Sequence, residues 1–233
     1  MAMKLVALVT VFLASAVSVA FGATGQADAG GLSKERVGSC SRDSVEKWSQ
    51  LPDVNGNLLS SYYNINQAVL YQCADDFYCA DGAPIVSVQW WGVDMSWEIW
   101  YFKVRFYANV SGPPFAHPGA SLYEQTLSDF TAEDLPGGWG TRYSVELPVP
   151  FEQEAGNTYW VSVVAHVDEG HTHAAEWYWF ECVSTDCWGS TAVQRTAATD
   201  WAPVEEDLAF VLTASEPSPV EEVGWSHIKA MFR

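Results

Sequence analysis

Lysine and arginine are scarce in this chain. It carries 11 of them against 29 aspartates and glutamates in 233 residues, a formal net charge of −18. Neutralisation of phosphate by cationic side chains supplies most non-specific affinity for nucleic acid and for anionic membrane, so neither is an expected partner. Catalytic signatures are missing as well. No serine sits in a nucleophile elbow, and Gly137-Gly138-Trp139-Gly140 lacks the lysine and the strand-to-helix setting of a phosphate loop. Past the first twenty-odd residues no apolar run is long enough for a membrane span, and no interior stretch has a convincing helical period.

What is present begins with a leader. Lys4 precedes an apolar run over residues 5–19, followed by the small residues Ser18-Val19-Ala20 and Ala20-Phe21-Gly22 that a signal peptidase needs. Residues 1–22 therefore read as a cleaved secretory peptide, which makes the mature chain secreted or held at the cell surface. Aromatic residues make up 14% of the chain, including 12 Trp, and the acids are dispersed, which opposes disorder despite the charge. In an oxidising compartment Cys73 with Cys79 and Cys182 with Cys187 are natural local bridges, leaving Cys40 odd.

Residues 23–60 form a Gly-, Ala- and Ser-rich lead-in. Val45, Trp48 and Leu51 recur there at a spacing of three behind Ser41 or Asp43, which predicts one short helix. From 61 to 214 the pattern becomes period-two runs of Val, Ile, Tyr, Phe and Trp separated by Gly, Pro and Asp. Trp100, Phe102, Val104 and Phe106 fall on one face opposite Lys103 and Arg105; Val86, Val88 and Trp90 fall opposite Ser87, Gln89 and Trp91. Such alternation means one side buried and one side wet. Further strands are expected at 68–72, 122–127, 143–147, 159–167, 175–180 and 208–213. The fold class is all-β, an antiparallel β-sandwich of jelly-roll type, with a short N-terminal helix and a C-terminal tail over 215–233.

Several segments taken in order resemble an uncharacterised family of large secreted bacterial β-sandwich domains. They are Cys73-Ala74-Asp75-Asp76-Phe77-Tyr78-Cys79, Ile85-Val86-Ser87-Val88-Gln89-Trp90-Trp91-Gly92, Ala155-Gly156-Asn157-Thr158-Tyr159-Trp160 and Asp207-Leu208-Ala209-Phe210. The ending from Trp225 to Arg233 is similar to short terminal segments of other bacterial exported proteins. The resemblance implies a jelly-roll-like domain and export, and carries no catalytic residues.

Three sets of residues are candidates for a site. Trp91, Tyr101, Tyr107 and Trp160 occupy alternation positions opposite the apparent core, and a row of rings there would stack on a sugar; the competing reading packs them under loops or the tail. Asp75 and Asp76, with Asp81, offer carboxylate oxygens to a Ca²⁺ ion, unless they serve a turn instead. His171 and His173, with His166, Asp168, Glu169 and Glu176, are the ligand-rich cluster for Zn²⁺, the lesser of the two metal expectations, at a polar hairpin tip marked by Gly170. The expected function is a non-enzymatic binding or surface-display domain with a glycan or a cell-surface component as partner. The alternatives are a metal-dependent hydrolase using the histidine cluster and a structural component of an extracellular layer or filament.

Overall fold

Large apolar residues alternating with polar ones can bury one side only if two sheets face each other, and this is what the chain does. The computed structural model describes residues 44–95, 98–168 and 175–215, and every regular element among them is a strand. In chain order these are β1 (Ser44–Gln50), β2 (Leu58–Ser60), β3 (Tyr62–Asn64), β4 (Val69–Tyr78), β5 (Ile85–Asp94), β6 (Glu98–Val110) and β7 (His117–Leu127). They continue as β8 (Thr131–Asp134), β9 (Thr141–Phe151), β10 (Thr158–Asp168), β11 (Trp177–Phe180), β12 (Val193–Thr196), β13 (Ala202–Pro203) and β14 (Phe210–Ser215).

One sheet runs β1-β14-β5-β9-β8, and β11 borders the same edge of β5 as β14, further along, carrying β2 beside it. The other runs β13-β12-β4-β10-β6-β7. Short β3 wedges between β4 and β10, antiparallel to the first and parallel to the second. Strands β1 and β2 correct the lead-in expectation: the segment expected as a helix is strand β1, paired with β14 from Ser44↔Ser215 to Gln50↔Phe210. Trp48 and Gln50 alternate inward against a partner from the far end of the chain, a non-local pairing that local spacing does not reveal.

Rings fill the space between the sheets. Trp90 and Trp177 of the first sheet meet Phe102 of the second, at centroid separations of 4.9 and 5.5 Å, and Phe106 stacks on Phe151 at 4.4 Å. Two polar pins also cross the gap. Ser61, fully buried between β2 and β3, gives its N–H to Trp177 (3.1 Å), accepts from Ala165 N–H (3.1 Å) and donates its hydroxyl to the Val163 carbonyl (2.6 Å). One residue thus hands the chain from sheet to sheet with its backbone groups satisfied on both sides. Asp75 of β4 accepts from Leu208 N–H (2.7 Å) and from the Gln50 side chain (2.9 Å) of β1.

Two bulges modify the alternation. The register slips between His166↔Tyr101 and Val167↔Ile99, so Trp100 leaves the Phe102 face and stands 48% exposed. A second irregularity between Ile85 and Ser87 puts Ile85 rather than Val86 in the core with Val88 and Trp90.

Candidate functional site

Alternation assigns Trp91, Tyr101, Tyr107 and Trp160 to outward-facing positions, and they do point away from the core. They do not form a row. Trp91 is on the outer face of the first sheet and the other three are on the outer face of the second. Trp91 is buried against Phe180, Cys182, Ala209 and Val211, with Leu135 and Cys187 packed around them. Trp160 is fully buried and donates Nε1–H to Asn109 Oδ1 at 2.9 Å; Tyr107 is buried beside Trp201 at 6.1 Å, edge to face. Tyr101 alone is half-open, and its ring stacks on His166 at 4.3 Å. The expected open platform is corrected accordingly: three of its four rings are covered by neighbouring loops and side chains.

The cover of the second sheet is polar. Gln72 of β4, fully buried, donates Nε2–H to the Tyr107 hydroxyl (2.8 Å) and to Ser162 Oγ (3.0 Å). Its Oε1 accepts from both Nε (3.0 Å) and Nη2 (2.9 Å) of Arg195, whose guanidinium carbon lies 4.5 Å from the Trp201 ring centroid. His166 is packed between Tyr101 and Tyr63 with Nδ1 buried and unpartnered. Burial first, then Lys103 and Arg105, push its pKa down to about 4, so the ring is neutral at physiological pH. His171 and His173 lie outside the described residues.

Asp75 and Asp76 are successive residues of one strand, so their side chains leave opposite faces of the sheet. Asp75 turns inward; besides Leu208 and Gln50 it accepts from Asp76 N–H at 2.8 Å. Asp76 turns outward and accepts from Ser190 N–H at 2.8 Å, with Gly189 (φ +106°) so close that an added Cβ would lie 2.2 Å from Oδ1. Asp81 is in an exposed loop, paired with Lys47 at 2.5 Å. These three carboxylates are therefore directed to three different places. Burial raises Asp75 well above the ordinary carboxylate range, helped by Asp207; burial takes Asp76 up to about 6, and burial also raises Asp207.

Among the described residues, the ligand atoms that converge within 4.8 Å are those of Cys182, Cys187 and Asp207. The two sulfurs form a disulfide with Cα atoms 5.9 Å apart, which leaves no thiolate for a metal. Cys73 and Cys79 are free and buried, contrary to the expected local bridge. The run between them is extended strand, so six residues separate them by about 20 Å where a bridge tolerates about 7 Å. Burial pushes the Cys73 thiol up to about 12.

A groove of about 710 Å³ opens where β7 leaves β6 through two register shifts and the β9–β10 connection folds alongside. Tyr123, Phe151 and Tyr159 supply rings, Asn109, Gln153 and Asn157 amides, and Glu152 and Glu154 carboxylates. The wall is held from behind. The Tyr159 hydroxyl accepts from Glu154 N–H (2.9 Å), the Tyr123 hydroxyl donates to the Val149 carbonyl (2.9 Å), and Cys79 exchanges backbone bonds with Asn157 (2.9 Å) and Gly156 (2.7 Å). Gln153 has both amide atoms shielded from water and unpartnered, a cost of about 1–3 kcal/mol for each such group. The polar groups of the lining are the amides of Asn109, Gln153 and Asn157 and the carboxylates of Glu152 and Glu154. Sequence reading missed this groove, because its walls come from β6, β7 and β9–β10, which no local motif links.

Two face-packed sheets, a disulfide-closed loop and a groove of rings, amides and carboxylates define an all-β domain. A family described as a domain of unknown function, DUF7901, matches residues 46–213, and the chain belongs to that family. No curated protein and no solved structure matches it.

Proposed function

We propose that this chain is an exported, non-enzymatic binding domain of jelly-roll type that holds a saccharide in the groove beside β7. The jelly-roll reading is supported by strand order: β1-β14-β5-β9 faces β4-β10-β6-β7, eight strands interleaved as in two Greek keys. Export is supported by the leader-like first residues and by the Cys182–Cys187 disulfide, a bond that persists in oxidising compartments. The observation that carries the ligand class is the groove's lining. The half-buried Tyr123 ring, backed by the core rings Phe151 and Tyr159, offers an apolar edge to the C–H side of a sugar, while Asn109, Gln153, Glu154 and Asn157 offer donors and acceptors to its hydroxyls.

A glycan array with the purified mature chain tests it. The expected result is retention of a defined set of glycans, lost at least tenfold on Tyr123→Ala or Asn157→Ala with the melting temperature kept within a few degrees. Retention indifferent to both substitutions would overturn the location, and cleavage of the retained glycan would overturn the non-enzymatic reading.

A further inference from the structure

Five cations fall among the described residues: Lys47, Lys103, Arg105, Arg142 and Arg195. Four of them have a carboxylate within ion-pair distance: Lys47 has Asp81, Lys103 and Arg105 share Glu124, and Arg142 has Glu133. Among the described residues Arg195 has none, in a chain where acids outnumber bases 29 to 11. Its partner on β4 is Gln72, whose neutral oxygen accepts both Nε and Nη2, although an acid there would have given a stronger charge-assisted fork.

The guanidinium is fixed nonetheless. Gln72 cannot turn, because its amide nitrogen is committed to Tyr107 and Ser162 in a fully buried position. Trp201 supports one face of the guanidinium at 4.5 Å, and Tyr107 holds Trp201 edge-on at 6.1 Å. Arg195 therefore keeps its full charge, its plane and its direction, with Nη1 outside these bonds. Lys103 and Arg105 lie on the same outer face, two charges against the single carboxylate of Glu124. The outer face of the second sheet thus gathers three of the five cations of an acidic chain.

We propose that Arg195, on its Trp201 bed, is a recognition site for the carboxylate of an acidic saccharide, a uronate, with the sugar ring lying against the half-buried aromatic surface of Trp201 and Phe115. A planar guanidinium held by its neighbours pairs with a planar carboxylate at little loss of rotamer freedom. A ligand with one charge per ring also meets less repulsion from the acidic surface than a polyphosphate does. The saccharide nature of the ligand rests on the function proposed above; the site is a different one.

The test is calorimetric titration of the full mature chain with a glucuronate-containing tetrasaccharide, its methyl ester, a neutral tetrasaccharide and oligoglutamate. The expected result is binding of the acidic sugar that falls at least tenfold on esterification, on Arg195→Gln and on Arg195→Lys, the last keeping the charge but losing the fork. Equal binding of ester and acid would overturn the proposal without any variant. Oligoglutamate binding as tightly through Arg195 would overturn the saccharide assignment. The Tyr123→Ala variant separates the two sites: it should leave the Arg195-dependent affinity within twofold, and failure of neutral sugars to bind would sink the groove while leaving this site standing.

Discussion

The two outer faces of this sandwich carry rings in the same kind of position and close over them in different ways. On the first sheet Trp91 is sealed by apolar contact with Phe180, Val211 and the disulfide-closed loop at Cys182–Cys187. On the second sheet Trp160 and Tyr107 are sealed under a polar lattice, Gln72, Ser162, Asn109 and Arg195, with Trp201 as its roof. Apolar sealing is indifferent to detail and tolerates relaxation. A hydrogen-bonded seal fails by whole groups, because each lost partner leaves another buried polar atom unpaired. On the second face the polar lattice is also what fixes the Arg195 guanidinium, through the committed side chain of Gln72.

The largest expected effect breaks the comparison at its rings. Trp160→Ala removes a fully buried side chain and orphans Asn109, and should cost about 3–5 kcal/mol in chemical denaturation. Tyr101→Ala, at a half-open ring on the same face, should cost less than about 1.5 kcal/mol; equal losses would mean the two rings are equally covered. Next comes the link peculiar to the first face. Replacing Cys182 and Cys187 together by serine should lower stability by about 2 kcal/mol, the amount expected for so short a closed loop. Hydrogen exchange should then rise around Trp91 and Val211 and stay unchanged around Trp160.

A pH titration sharpens the contrast further. Asp75, Asp76 and Asp207 have folded-state values above their unfolded ones, so the stability they contribute is present at low pH and is lost as pH rises through those values, about 6 for Asp76. His166 runs the other way. Its value is depressed to about 4, so the unfolded chain takes up a proton from about 6.5 downward while the folded one does not, and stability is lost over that interval. Asp76 therefore gains stability as pH falls through about 6 while His166 loses it over nearly the same interval, so between pH 6 and 4 Asp76→Asn should make the denaturation midpoint fall more steeply and His166→Gln should make it fall less. A further effect is expected from Gln72→Glu, which sets an acid beside Arg195 but removes the buried amide donor to Tyr107 and Ser162. Stability should fall by about 1–3 kcal/mol, and affinity for the acidic tetrasaccharide should fall with it.

Much of the architecture was legible because alternation of large apolar residues is itself the cause of the sheets. Phe102, Val104, Phe106, Val88 and Trp90 all take the core positions that their spacing assigns. Trp100 escaped because a bulge is a property of the pair β6 and β10, which β6 alone does not reveal. The helix expected near Trp48 failed because β1 draws its stability from β14, more than 150 residues later in the chain. Cys73 and Cys79 look like a bridge only if the run between them is a loop. For the sites, alternation told which way Trp91 and Trp160 point and was silent on what lies over them, since covering residues such as Trp201 and Cys187 come from remote loops. The groove at Tyr123 and Asn157, and an Arg195 with no acid in reach among the described residues, exist only once the sheets are assembled.

The most direct test of where recognition occurs is chemical-shift mapping of the labelled mature chain during titration with a glycan that it retains. Recognition at the groove predicts that the perturbed resonances include Asn109, Tyr123, Gln153, Asn157 and Tyr159, with Trp91 and its disulfide-capped neighbours unmoved. Perturbation centred on Trp91, Phe180 and Val211, with the groove residues silent, would contradict it.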